Sequence, residues 1–277
     1  MTLITDSEQL RLFFPNSIEP VEPESTLYDK LAGFLQAAED WAASALMPQS
    51  TLEAVAARPL TDLLRRHASS LVIAEALAQA LPSLDVVLTP NGFGVVATAN
   101  VAAASKQRVD RLIASLREQR DDALEETLLL LPDAYGWAAS PQASYFGATL
   151  FPNIDLASLC GFGTGRWEKY KELRERVIGI EQALAEDYFS AELMQALREQ
   201  LLLGTLTAGR LRVVQALRSQ IVEVLKDRPI NATRMRDIVN HIRYNESAYP
   251  EWHSSATAKL FAPPKFENKK ESKGYWF

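Results

Sequence analysis

The chain is predicted to be mainly α: a helical bundle with a small β-hairpin and an extended C-terminal arm. Three observations carry that prediction. Apolar residues recur at the helical period over most of the 277 residues, between side chains suited to capping helices. One segment breaks the period with two β-rich runs around Asn91-Gly92. After Tyr249-Pro250-Glu251-Trp252 the period stops, and a polar tail follows that carries Tyr275-Trp276-Phe277.

The elements follow in order. Residues 2–5 have the composition of a short strand. Asp6 and Gln9 stand at capping-box spacing ahead of a short helix bearing Leu10, Phe13 and Phe14. The acidic, proline-containing stretch 15–24 reads as a loop. Thr26 and Asp29 cap a strong helix whose Leu27, Leu31, Phe34, Leu35, Ala38, Trp41 and Ala45 share one face. Ser50 and Glu53 form a second capping box. Pro59 suits the first turn of a helix that runs towards Leu81 and stops before Pro82. Leu84-Asp85-Val86-Val87-Leu88-Thr89 and Phe93-Gly94-Val95-Val96-Ala97-Thr98 flank Pro90-Asn91-Gly92, which predicts a hairpin over 84–98. A two-stranded hairpin is marginal alone, so it packs on helices or pairs with another chain. Its Val95 and Val96 are therefore the leading receptor for an arm.

Ser105 opens a long amphipathic helix with Val109, Leu112, Ile113, Leu116, Ala123, Leu124, Leu128 and Leu131 on its apolar side. Arg117, Glu118, Arg120, Asp121 and Asp122 read as its solvated face. Residues 132–165 are rich in glycine, serine, proline and aromatics and read as an irregular connection, with a short helix near 155–159. Trp167, Tyr170, Leu173, Val177, Ile180, Leu184 and Tyr188 mark the next helix. Ser190 caps one that ends near Gly204, another runs from Thr207 to Asp227, and Asn231 caps a last one through His241. The organisation is thus an N-terminal helical domain over 1–131, the connection, a C-terminal helical domain over 166–252 and an arm over 253–277. Ala38-Glu39-Asp40-Trp41 is faintly echoed by Ala185-Glu186-Asp187-Tyr188, which reads as chance similarity or as a duplicated hairpin unit.

Charge is distributed unevenly. Asp6, Glu8, Glu19, Glu22, Glu24, Asp29, Glu39 and Asp40 face only Arg11 and Lys30 in the first forty residues, which accounts for the whole net charge of −6. Lys259, Lys265, Lys269, Lys270 and Lys273 outnumber Glu267 and Glu271 at the other end. An acidic head and a basic tail suit head-to-tail contact between copies, or are simply two solvated termini. The acidic total argues against general nucleic-acid binding. One cysteine, Cys160, forms no internal disulfide and points to a reducing compartment. The first residues lack the basic and apolar regions of a signal peptide, and no apolar run is long enough to span a membrane.

No constellation predicts catalysis, a cofactor or a metal site. His67, His241 and His253 are not at ligand spacing. Gly161-Phe162-Gly163-Thr164-Gly165 precedes a helix and offers amides to an anion, but it lacks the preceding strand and the lysine of a phosphate loop. It reads as a linker; the rival reading is an enzyme or nucleotide-dependent factor using this loop. Asp121-Asp122 and Glu125-Glu126 read as a solvated acidic face, and Cys160 as a buried thiol. Arg65-Arg66, Arg210, Arg212 and Arg218 have no interleaved aromatics that would mark nucleic-acid contact.

The arm is the candidate interaction site, through Phe261, Phe266, Tyr275, Trp276 and Phe277. Burying each ring contributes roughly 1.5–3 kcal/mol. Ordering each residue's backbone costs about 1–2 kcal/mol, so the rings alone do not order the whole arm. Either its tip docks, or its backbone also adds a strand to a sheet edge. A tail folded on its own domain and a disordered terminus are the other readings.

Leu3-Ile4-Thr5-Asp6-Ser7-Glu8-Gln9-Leu10, an acidic loop, then Phe34-Leu35-Gln36-Ala37-Ala38-Glu39-Asp40-Trp41 resembles the opening of the helical head–tail connector (neck adaptor) proteins of tailed phages. The chain also resembles an uncharacterised family of Bacteroidetes phages and prophages. That likeness lies in Leu84-Asp85 with Thr89-Pro90-Asn91-Gly92-Phe93, Ala104-Ser105-Lys106, Leu150-Phe151-Pro152 and Phe266-Glu267-Asn268-Lys269-Lys270 running to Trp276-Phe277. The resemblance implies a structural virion protein of the phage neck, present in the host cytoplasm during assembly. It implies a ring-shaped homo-oligomer on the portal protein, joined by terminal arms and touching tail or neck proteins. It further implies no membrane, and DNA contact only through the neck lumen.

Overall fold

The computed structural model describes residues 2–14, 26–84, 86–89, 92–95 and 105–262, with 86–89 and 92–95 described by backbone alone. These residues are mainly helical. Helix α1 (Ser7–Phe13) is capped by Asp6, whose Oδ1 accepts the Gln9 N–H at 2.8 Å. Residues 2–5 are not a strand. Leu3 and Ile4 are buried in the core, and the Leu3 N–H donates to Glu39 Oε1 at 2.6 Å. With a side-chain carboxylate for a partner, the segment needs no neighbouring strand.

Helix α2 (Leu27–Ala45) begins with the complete Thr26/Asp29 capping box. Helix α3 (Gln49–Ala56) departs from expectation: Pro48 occupies the N-cap position and Ser50 lies inside the helix. The proline holds extended backbone (φ −63°, ψ 155°), which starts the helix ahead of Ser50. Helix α4 (Leu63–Leu84) starts beyond Pro59, where Asp62 Oδ1 accepts the Arg65 N–H at 3.0 Å. It also runs through Pro82. Pro82 has no N–H to give to the carbonyl four residues back, and the helix ends two residues later.

Strands β1 (Val86–Thr89) and β2 (Gly92–Val95) pair antiparallel, with Val86 opposite Val95 and Thr89 opposite Gly92. Leu84 belongs to α4. Asp85, Pro90, Asn91, Val96 and 97–98 lie outside the described residues. Helix α5 (Lys106–Leu130) packs along α4, which also contacts α2. Of the face of α5 expected to be solvated, Arg117, Glu118 and Asp122 are exposed, but Arg120 and Asp121 are buried.

Residues 132–165, read from the sequence as an irregular connection, hold regular elements and buried side chains. They carry helices α6 (Pro141–Phe146) and α7 (Asp155–Leu159), and Trp137, Phe146, Leu150, Phe151 and Ile154 are all buried. Trp137 Nε1 donates to the Leu46 carbonyl at 2.9 Å, and Thr51 Oγ1 to the Tyr135 carbonyl at 2.9 Å. Helices this short bury their side chains without displaying a period.

Helix α8 (Arg166–Leu184) passes into a π-helical turn over Ala185–Phe189. Ser190, at φ 66°, then caps α9 (Ala191–Leu202). Thr207 caps α10 (Ala208–Leu225), and Asn231 caps α11 (Ala232–Arg243). Within the faint internal echo, Ala38 and Ala185 are both buried and Asp40 and Asp187 both exposed, but the glutamates differ. Glu39 is buried within regular α2, whereas Glu186 is exposed in the π turn.

Residues 253–262, expected to open the extended arm, are folded on the chain. Helices α12 (Pro250–His253) and α13 (Ala256–Leu260) fold back, and Phe261 packs 6.0 Å from the Trp252 ring and 6.4 Å from Tyr188. One continuous buried cluster runs from Leu3 to Trp252, so both helical halves share a core.

Candidate functional site

Helices α5 and α8 meet through carboxylates. Asp121, Asp122 and Glu125 lie within one turn of α5 and converge on Arg166 at the start of α8. Asp121 Oδ2 accepts the Arg166 N–H at 2.8 Å and lies 3.5 Å from the Trp167 N–H. Glu125 pairs with the Arg166 guanidinium at 2.5 Å, and Asp122 takes its other end. The second Asp121 oxygen accepts from Arg120 Nη2 at 2.7 Å and Nε at 2.9 Å. Arg120 also reaches Glu75 on α4 at 3.0 Å and lies 6.0 Å from the Trp41 ring of α2. Burial works against the Arg120 charge, but Asp121 and Glu75 more than offset it and hold its pKa above the ordinary guanidinium value. Burial raises the Glu125 carboxyl above its usual range, against the pull of Arg166. One carboxylate therefore ties α4, α5 and α8 together.

The same geometry decides what the glycine run does locally. Gly161 and Gly165 take φ values of 97° and 61°, which glycine adopts without strain, and they turn the chain into α8. The first α8 amides, those of Arg166 and Trp167, face Asp121. An internal carboxylate thus occupies the place an anion would take at this helix end.

Other buried charges are also joints. Glu181 is fully buried; its Oε1 accepts the Leu150 N–H at 2.7 Å and its Oε2 pairs with Arg198 at 2.7 Å. Burial raises its carboxyl pKa, with Arg198 opposing. Arg210 binds the Ala248 carbonyl at 2.8 Å and Glu251 at 2.7 Å, while Arg218 pairs with Asp155. Arg65 donates to the Arg58 carbonyl. Arg212 is exposed. His241 Nε2 lies 3.2 Å from Tyr249 Oη, and His253 Nε2 lies 3.1 Å from the Ile242 carbonyl. Burial raises the Cys160 thiol pKa. Among the described residues no group of His, Cys, Asp and Glu is placed to hold a metal, and no helix is long and apolar enough to cross a membrane.

Of the residues singled out for assembly, Phe261 packs on its own chain. The Val95 backbone pairs with Val86. Phe266, Tyr275, Trp276, Phe277 and Val96 lie outside the described residues. Trp252, only 2 % exposed, anchors this end: its Nε1 donates to the Tyr188 carbonyl at 2.8 Å. Sequence reasoning missed this anchor and the Asp121–Arg166 joint. Ser255, which accepts the Ala258 N–H at 3.2 Å, was the available sign of α13.

A family of unknown function (DUF6712) matches residues 18–147, just under half of the chain. The matched stretch reaches the end of α6 and so includes Trp137 and Phe146, which the sequence reading placed in a connection. No curated protein and no solved structure matches.

Proposed function

We propose that this chain is a non-catalytic structural subunit, an adaptor of the head–tail connector kind. It assembles as a ring on the portal of a tailed-phage neck through its terminal arm. The observation that carries this reading is where the buried charges go. Asp121, Arg166, Glu181 and Arg210 each join separate elements of the chain, which makes a braced helical frame. To that frame, at the Trp252 anchor, is attached a segment bearing Phe266, Tyr275, Trp276 and Phe277. The arm's backbone adds to the outer edge of the β1–β2 ladder, near Val95 and Val96, while its rings supply affinity. The sequence resemblance to connectors supports the same role. No cofactor takes part, and DNA is met only in the neck lumen.

Light scattering on the full chain and on a chain ending at Ala262, each alone and mixed with the portal protein, tests the proposal. The full chain is expected to form a ring-sized oligomer. The shortened chain is expected to keep its melting temperature and remain a monomer. The same oligomer from both chains overturns the proposal. Phe261 favours a second reading, in which the whole tail folds onto its own subunit as Phe261 does. A mass that stays monomeric at all concentrations, with and without portal, distinguishes it.

A further inference from the structure

Ser190 and Asp227 are the described residues other than glycine that take positive φ. Asp227 is exposed, whereas Ser190 is only 2 % exposed. Its φ of 66° with ψ of 152° lies in a region that glycine alone enters freely. Ser190 stands at the corner between α8 and α9. Its N–H closes the π turn on the Ala185 carbonyl at 2.8 Å, and its Oγ accepts the Leu193 N–H at 3.2 Å. Backbone strain of this kind persists only where the surrounding structure holds it.

Helices α12 and α13 are placed to hold it. Helix α13 packs on the π turn, and α12 packs on α9. Trp252 Nε1 donates to the Tyr188 carbonyl at 2.8 Å. A side chain 64 residues away thus supplies the bond that the backbone of a continuing helix would supply. The Phe261 ring covers both partners, 6.4 Å from Tyr188 and 6.0 Å from Trp252. We propose that Trp252–Phe261 is a latch that keeps the α8–α9 corner in its strained form. Opening the latch lets Ser190 leave positive φ and loosens the start of α9. The base of the latch stays in place, because Arg210 binds the Ala248 carbonyl at 2.8 Å and Glu251 at 2.7 Å. Arg198, about two turns into α9, pairs with the fully buried Glu181 of α8 at 2.7 Å, so the loosening ends there. The coupling is reciprocal: the strain that the latch contains also favours its opening. Residues 263–277 follow α13 directly, so whatever acts on them reaches the corner through the latch, whether or not that segment joins copies into a ring.

Hydrogen exchange read by mass spectrometry on the full chain tests the latch. Phe261→Ala, at a partly buried ring, is expected to quicken exchange at least about fivefold in two places, Trp252–Ala262 and Ser190–Met194, while amides beyond Arg198 keep wild-type rates. Quickening confined to Trp252–Ala262 would overturn the coupling. Ser190→Gly keeps the backbone conformation without its strain, and is expected to slow exchange in Trp252–Ala262 about threefold or more. Unchanged or faster exchange there would overturn the strained corner. Ser190→Ala loses the same Leu193 cap but keeps the strain, so it should not slow the latch; slowing equal to that of Ser190→Gly would also overturn the proposal.

Discussion

Both oxygens of Asp121 are engaged by buried donors: Arg120 on one side, and the first amides of α8 on the other. Replacement by alanine leaves a buried guanidinium with Glu75 as its remaining partner and frees those amides. Asp121→Ala should therefore lower the unfolding free energy by about 3–5 kcal/mol in urea titration. Asp122→Ala should change it by less than about 1 kcal/mol, because that side chain is 74 % exposed. Glu39 gives a pH prediction. Burial raises its carboxyl pKa above 4.5, against the hydrogen bond from Leu3. Its contribution is fully present below the unfolded-state pKa and is lost as pH rises through the higher folded-state value. Asp6 and Asp29 have the opposite sign: hydrogen bonds from Gln9 and Thr26 lower them, so their contribution is lost as pH falls. Both are present in wild type and in Glu39→Gln, so they cancel in the comparison. The melting temperature of wild type minus that of Glu39→Gln should be largest below the unfolded-state pKa and shrink as pH rises towards neutrality in a differential scan. A difference that grows with pH would contradict the assignment.

Local signals were legible at the scale of elements, and tertiary ones were not. Thr26, Ser190 and Asn231 cap their helices as the sequence predicts, because a cap is settled within one turn. The short helix at 155–159 was also readable, although no side chain caps it. Arg120 and Asp121 were misread because charged residues on an amphipathic helix are normally solvated, and only Arg166, far along the chain, reveals their burial. Phe261 was assigned to a free arm because α13 is too short to show a period. Its true anchor gives a prediction: Trp252→Ala should cost about 3–5 kcal/mol locally. Hydrogen exchange should quicken across α12 and α13 while α4 stays protected. Helix α6 meets α9 at Gly147, where an added Cβ would lie 2.8 Å from Leu202 Cδ2 and 3.0 Å from the Ala143 carbonyl. Gly147→Ala should destabilise by roughly 1–3 kcal/mol in thermal unfolding, since the backbone side of that contact does not yield.

For the whole molecule, the helical class was visible in the sequence but the shared core was not. Trp137 reaching Leu46, Tyr135 reaching Thr51 and Leu150 reaching Glu181 are pairings between distant positions, and they leave no periodic trace. A continuous core predicts that calorimetry of the chain shows one cooperative transition, with calorimetric and van't Hoff enthalpies equal. Two separated transitions would restore a boundary near 132–165. The clamp at Trp252 has a mechanical consequence. Tension applied beyond Ala262 meets Phe261, packed on both Tyr188 and Trp252, and then the indole bonded to the Tyr188 carbonyl, before it reaches α11. The indole's bond to the Tyr188 carbonyl and its ring contacts must break together, so the joint resists gradual peeling and fails abruptly above a threshold load.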